Sequence, residues 1–530
     1  MRIDEVGRSR SPVHPQALVP SVPDWHQVGG FRRTRSAFNG FPFPCEVLAM
    51  TRSFHRFLPF SCGWPTCFCL LAMLWASAHG SLSAHEGDHE HPAKPVAPAE
   101  AHRPSPLPDR VILSIGDDPT NSCGITWRTS SDVAHGFVEW AEATHGPEFR
   151  LKPSRIEATT SALVTDLNPA HFHSAKLNDL KPATPYVYRV GDGANWSEWH
   201  PFETASQQPE SFQFLYFGDA QNDVLSLWSR VIRDAARQAP KARFMIHAGD
   251  LINRPESDAD WGEWFRAGSF LHATIPSVPV PGNHEQAKNE DGSRRLSHHW
   301  RAQFTLPENG PPGLEETAYT FTYGNLRVIG LNSNEKIDEQ TKWLESVLQQ
   351  QPAPWIVCTF HHPIFSTAKE RDNKALRDAW KPLFDRYGVD LVLQGHDHTY
   401  GRTGLIDGNV PETLSNVPIG VRHTDPQSGT VYVVSVSGPK MYNLAPDSIM
   451  ERSAEDTQLY QIIEIAGDQL RFESRTAIGS LYDGFTLTKL PDGRKQFQPR
   501  TDVIPERKRE KPQTQLPESK AKEEPVLPGK

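Results

Sequence analysis

Between residues 107 and 205 the apolar positions come in short alternating runs, at 111–114, 124–127, 137–140, 173–177 and 186–190. Turn residues separate them. Alternation with a period of two, carried by Val, Ile, Trp and Tyr, marks half-buried strands, and the regular spacing predicts an all-β sandwich. From about residue 210 the pattern changes. Continuous apolar runs at 212–217, 243–247, 355–360 and 389–394 stand between stretches whose apolar residues recur at helical spacing. Val224, Leu227, Trp228, Val231 and Ala235 make one such face. Trp343, Leu344, Val347 and Leu348 make another, and a third helix is predicted from about 374 to 386. Strand, helix, strand in that order is the βαβ unit of a parallel sheet buried on both faces. Residues 319–323 and 326–331 predict a strand pair turning at Gly324-Asn325, and 431–436, 460–465 and 470–474 close the domain as further sheet. The chain reads as an all-β domain over 107–205 followed by an α/β domain over 210–475.

The ends read differently. Residues 1–49 carry no periodic pattern. Met50 then opens a basic stretch with Arg52, His55 and Arg56, followed by an apolar run at 67–78 and small residues at 81–84. This is the layout of a secretory signal peptide over 50–84, with 1–49 an extension upstream of the true start and export the expected fate. The run is shorter than the ~20 residues a membrane helix requires, so no span is expected in the mature chain. Residues 85–106 combine His85, His89 and His91 with Pro and Ala; they read as a solvated linker, with metal scavenging as the alternative. Residues 476–530, rich in Lys, Glu and Pro, are expected to form a disordered charged tail. Past residue 84 only Cys123 and Cys358 remain, one in each domain, which excludes a disulfide framework. A chain of 530 residues requires more than one core, and a net charge of -9 gives no reason to expect nucleic-acid binding.

The buried runs of the second domain end in polar clusters. They are Phe217-Gly218-Asp219-Ala220-Gln221, His247-Ala248-Gly249-Asp250, Val280-Pro281-Gly282-Asn283-His284-Glu285, Phe360-His361-His362-Pro363 and Gly395-His396-Asp397-His398. Open α/β sheets place their ligand sites at the carboxyl ends of strands. Asp, Asn and His there are the oxygen and imidazole donors that first-row divalent metals prefer. In this order the five stretches resemble the calcineurin-like metallophosphoesterases, and most of all their purple acid phosphatase branch. Residues 180–191, reading Leu-Lys-Pro-Ala-Thr-Pro-Tyr-Val-Tyr-Arg-Val-Gly, resemble a segment of fibronectin type III-like domains that also marks the amino-terminal domain of plant-type purple acid phosphatases. The fold implied is a four-layer α/β/β/α sandwich preceded by an all-β fibronectin type III-like sandwich that serves packing and presentation.

The resemblance also implies a site. Asp250 would bridge two divalent ions, which Mn, Fe or Zn could supply; Asp219 and His398 would hold the first, and Asn283, His361 and His396 the second. His284 would be no ligand but would give a proton to the leaving oxygen or stabilise the phosphoryl group. The His-x-His spacing of 396–398 is expected to put both imidazoles on one side of an extended stretch, each reaching a different ion. His362 either lines the pocket or is a packed histidine, and His247 reads as a buried, hydrogen-bonded residue. Two positions depart from the pattern. The tyrosine that binds ferric iron in purple acid phosphatases is replaced by Asn253, and the histidine that other members carry after the first Asp is replaced by Gln221. Gln221 could offer its amide oxygen to the first metal, or water could fill that place. The function implied is an exported, acid phosphatase-like hydrolase that cleaves phosphomonoesters by attack of a metal-bound hydroxide. The alternatives are a phosphodiesterase or nucleotide hydrolase of the same family, and a non-catalytic surface binding protein.

Overall fold

The alternating runs of the first domain become two facing sheets. The computed structural model describes residues 94–350, 353–408, 427–445 and 449–509. The stretches expected to be an extension and a signal peptide lie outside the described residues, as do His85, His89, His91 and residues 510–530. One sheet of the sandwich joins β1 (Asp109–Ile115), β2 (Cys123–Ser130), β5 (Thr159–Val164) and β6 (Pro169–Leu177) in the order β1-β2-β6-β5. The other joins β3 (Phe137–Glu142), β4 (Ser154–Glu157), β7 (Pro185–Gly191) and β8 (His200–Glu203) in the order β4-β3-β7-β8. Leu113, Ile125, Trp127, Val138, Tyr188 and Val190 fill the space between them. Strands β4 and β5 escape the apolar pattern because they lie at sheet edges and leave most of their side chains in water.

The continuous apolar runs become strands covered on both faces. β9 (Phe212–Phe217), β10 (Ala242–His247) and β11 (Ser277–Pro279) are parallel neighbours. A second sheet has the order β14-β15-β16-β17-β19-β18-β20. Its members are β14 (Tyr319–Tyr323), β15 (Leu326–Gly330), β16 (Trp355–Thr359), β17 (Leu391–Gln394), β18 (Tyr400–Ile406), β19 (Thr430–Val434) and β20 (Arg452–Ala454). In it β15, β16, β17 and β19 run parallel. The two sheets face each other through a core of aromatic rings, with Phe214 stacked on Phe244 at 4.7 Å and Phe244 edge-on to Phe321 at 5.6 Å. Behind the first sheet lie the helices Ser229–Gln238 and Asp258–Gly268; Phe217, on the other face of β9, meets Trp228 there. Helices Ile337–Gln350 and Lys374–Tyr387 cover the outer face of the second. The result is the expected α/β/β/α sandwich.

The expected tail is a correction. Residues 476–499 are not a solvated end: β21 (Leu459–Ala466), β22 (Gln469–Thr476), β23 (Leu481–Lys489) and β24 (Lys495–Pro499) continue the first sheet as successive antiparallel strands beside β9. The charges that read as a solvated tail are paired. Lys489 and Lys495 reach the two oxygens of buried Asp390 at 2.8 and 2.9 Å, and Asp483 takes the Arg402 guanidinium at 2.7 Å. A buried carboxylate needs such partners, so this pairing orders the segment.

The two domains share one sheet. β1 lies parallel to β11, with Ser114 opposite Ser277, so eleven strands run from β24 to β5 without a break. Around this seam the packing is close. A Cβ on Gly124 would stand 2.1 Å from the Thr305 carbonyl, and the hydroxyls of Thr126 and Thr305 meet at 2.8 Å. Tyr188 donates to the Ala273 carbonyl at 2.7 Å. Fully buried Asp258 receives Arg110 at 2.7 Å and Arg128 at 3.0 Å, both from the sandwich. Breaking a buried ion pair by removing one partner typically costs about 3–5 kcal/mol. Asp258→Ala should lose about that much in chemical denaturation, with both domains still melting in one transition; a separate sandwich transition in the unmutated chain would show the seam to be weak.

Candidate metal centre

The polar clusters meet because they follow parallel strands whose carboxyl ends converge. Asp219 and Gln221 follow β9, Asp250 follows β10, and Asn283 and His284 follow β11. From the opposing sheet, His361 and His362 follow β16, and His396 and His398 follow β17. The sheets close tightly here: a Cβ on Gly218 would meet the Ser435 carbonyl at 1.9 Å.

Two donor groups result. Asp219, Asp250 and His398 offer one atom each within 4.8 Å of one another, and so do His361, His362 and His396. Asn283 joins the second group, its Oδ1 3.1 Å from His361 Nε2. His396 Nδ1 lies 3.1 Å from the same nitrogen and Asp250 Oδ2 lies 3.2 Å from it. Asp250 Oδ2 also accepts from the Gln221 amide at 2.8 Å, and that amide nitrogen lies 2.9 Å from His398 Nε2. One carboxylate oxygen thus faces both groups. The imidazoles are oriented from behind. His361 Nδ1 donates to the Ala248 carbonyl and His398 Nδ1 to the Lys440 carbonyl, each at 2.9 Å, which turns both Nε2 lone pairs inward.

His396 and His398 do not lie on an extended stretch, contrary to the sequence expectation. Their φ angles are 74° and 50°, so a turn with two left-handed residues sends the rings to different groups. Asp250 is left-handed as well, at 51°. Such angles cost of order 1–3 kcal/mol each in non-glycine residues and persist only where the surroundings hold them. Glu285 does that for Asp250. Buried, it accepts the backbone N–H groups of Asp250 at 2.9 Å, Leu251 at 2.8 Å and Gly282 at 2.7 Å. Buried Asp397 plays the same part between the two histidines, accepting from Ser366 Oγ and the Thr367 N–H at 2.7 Å. Two glycines leave room. A Cβ on Gly282 would meet Asp250 Oδ1 at 2.2 Å, and one on Gly395 would meet Asp219 Oδ2 at 2.6 Å.

The electrostatics are unbalanced without cations. Burial pushes Asp219 well above the carboxylate range, opposed by His361 and reinforced by Asp250. Asp250 is driven up by burial but held below the usual range by His361. Burial would lower His361, yet the Asp250 charge and hydrogen bond raise it to about 9. Burial lowers His398 to about 3. Asp219 Oδ1 and Gln221 Oε1 are buried with no hydrogen-bond partner. Inward lone pairs, two carboxylates and orphaned oxygens fit a pair of divalent ions, and the mixed oxygen and imidazole set suits Mn, Fe or Zn.

The remaining predicted residues fall around this centre. His284 Nδ1 donates to the Asn253 carbonyl at 2.6 Å, and its Nε2 stands 4.0 Å from Asp250 Oδ2. His362 Nδ1 bonds Ser333 Oγ at 2.8 Å, and its ring lies 4.4 Å from that of His396. His247 is buried, as expected, among Phe217, Trp228, Trp264 and His272, and its Nε2 has no hydrogen-bond partner. Glu285, Asp397 and Tyr442, whose ring lies 4.6 Å from that of His398, were not singled out from the sequence. For Glu285 a signal existed, since it directly follows Asn283-His284.

Comparison with known proteins agrees with this geometry. Residues 212–400 match the calcineurin-like phosphoesterase family, and residues 108–204 match the purple acid phosphatase N-terminal domain. The chain is 25% identical to acid phosphatase type 7 of Homo sapiens over 427 residues, 74% of this chain and 87% of that protein. It is 26% identical to purple acid phosphatase 21 of Arabidopsis thaliana over 324 residues, 59% of this chain and 70% of that protein. A purple acid phosphatase from yellow lupin (Lupinus luteus) seeds shares the fold, with a TM-score of 0.60 at 20% identity over 72% of this chain and 74% of that one. The protein is a metal-dependent hydrolase: a calcineurin-like metallophosphoesterase with a purple-acid-phosphatase-like N-terminal domain.

Partners behind metal ligands typically contribute 10–100-fold to metal affinity. Glu285→Ala should therefore bind metal about 10–100-fold more weakly in a chelator competition, while circular dichroism stays native. Unchanged affinity would separate Glu285 from the site.

Proposed function

We propose that this protein hydrolyses phosphomonoesters at a dinuclear metal centre, in the manner of an acid phosphatase. The observation that carries the reading is the single Asp250 oxygen facing both donor groups, as a bridging ligand must. Asp219 and His398 are assigned to the first ion, with Gln221 able to turn its unpartnered Oε1 toward it. Asn283, His361 and His396 are assigned to the second. Two ions so held would neutralise the phosphoryl oxygens and activate water. His284 is the proton donor as its imidazolium: Nδ1–H is committed to the Asn253 carbonyl, so the proton given to the leaving oxygen is the second one, on Nε2, and the ring returns to the neutral Nδ1–H form. The β1-β2-β6-β5 and β4-β3-β7-β8 sheets are consistent with a fibronectin type III-like sandwich that supports the catalytic domain. We read the protein as exported, from the basic, apolar and small-residue order of 50–84. Among the described residues no helix is long and apolar enough to cross a membrane.

Metal-loaded protein should hydrolyse 4-nitrophenyl phosphate and lose that activity to a chelator, with recovery on adding Mn²⁺, Fe²⁺ or Zn²⁺. Phosphodiesters turned over in preference to monoesters would favour the diesterase alternative. Binding of a phosphate ester without turnover would favour the binding-protein reading.

The centre should also be colourless. Asn253 replaces the iron-binding tyrosine, and a site with one anion fewer favours a divalent over a trivalent ion. A visible spectrum with metal analysis checks this: no tyrosinate-to-iron band is expected, and a strong band would mean that the Tyr442 phenolate reaches the metal.

A further inference from the structure

The rim of the centre carries more positive charge than one phosphate group requires. Arg371 donates to the His396 carbonyl at 2.8 Å and lies over the Tyr442 ring at 4.9 Å. Lys440 Nζ lies over the same ring at 5.5 Å, and the Lys440 carbonyl holds His398. Arg294, on β13 (Arg294–Leu296) of the hairpin it forms with β12 (Gln286–Lys288), donates to the Asn283 carbonyl at 3.4 Å. Both guanidinium groups are therefore tied to the backbone of an assigned metal ligand, and Lys440 is tied to a third through its own carbonyl. Arg371 shares its charge with Asp397 at 3.6 Å. Arg294 and Lys440 have no carboxylate partner among the described residues.

Arg371 and Lys440, held against the Tyr442 ring, are positioned in advance, at little further entropic cost on binding, and Arg294 is held by its bond to the Asn283 carbonyl. Two unneutralised cations beside a centre that already compensates one phosphoryl group leave charge for a second anion. We propose that the rim formed by Arg294, Arg371, Lys440 and Tyr442 is a subsite for a second phosphate, so that the preferred substrates are phosphate esters whose leaving group itself carries a phosphate. This rests on the phosphoesterase reading above and deepens it. The second phosphate lies on the leaving side, outside the donor groups, and takes no part in bond breaking.

Propane-1,3-diol monophosphate and bisphosphate test this, because they differ only in the distal phosphate. With metal-loaded full-length protein, kcat/KM for the bisphosphate should exceed that for the monophosphate by about tenfold or more, the effect of one charge-assisted contact. Two equivalent esters alone would give a ratio of about two. The excess should fall severalfold in Arg294→Gln and in Lys440→Gln, and should shrink with added salt. A ratio near two, or an excess unmoved by either substitution, overturns the subsite while leaving phosphomonoester hydrolysis intact. Absence of turnover for either ester would count against the phosphoesterase reading, and calorimetry then decides the subsite. Tighter binding of the bisphosphate, weakened by the same two substitutions, supports it; equal binding of the two esters overturns it.

Discussion

Everything in this fold answers to one electrostatic demand: two buried carboxylates and several inward-facing lone pairs must be held close together away from water. His361 Nε2 has Asn283, His396 and Asp250 within 3.2 Å. No arrangement of protons satisfies all of these acceptors at once, and an unpaired buried charge is costly. Bound cations resolve the conflict, but until they arrive the protein must enforce it. It does so with backbone rather than with side-chain freedom. Left-handed angles at Asp250, His396 and His398 aim the donors, and Glu285 and Asp397 clamp those turns from inside the protein. The strain is local and its compensation lies directly behind it.

The second demand is that donors from two separate sheets meet. Parallel strands let successive loops emerge on one edge, and the facing sheets bring two such edges together. Where they meet, little besides glycine fits. Gly218, Gly282 and Gly395 each stand where a methyl group would strike a carbonyl or a ligand oxygen. The glycines beside the Asp, Asn and His of these motifs are therefore part of the site's geometry.

Much of this was legible in the chain because periodicity and chemistry coincide. Each buried run between 212 and 394 reads as a strand, and the polar residues just past its end are the ones the structure gathers. What escaped detection depended on partners far away in sequence. β4 and β5 leave too many side chains in water to show a period. Lys489 and Lys495 look like solvated charges until Asp390 is placed between them. The turn at 396–398 reads as extended because spacing alone carries no information about φ. Glu285 and Tyr442 act on neighbours rather than offering donor atoms, so a search for ligands passes over them.

The parallel pairing of β1 with β11 has a consequence for how the molecule is made. β11 is three residues long and sits between β10 and β1. Synthesis completes the sandwich first, well before residue 277 exists. Until then β1 presents an unpaired edge, the feature that templates pairing with other chains. The correct neighbour must then be joined across a long loop, a slow kind of contact to form. The sandwich is thus a folding partner with an obligation to the domain behind it. A sandwich borrowed from another protein would have to bring an edge in this register as well as a core of its own.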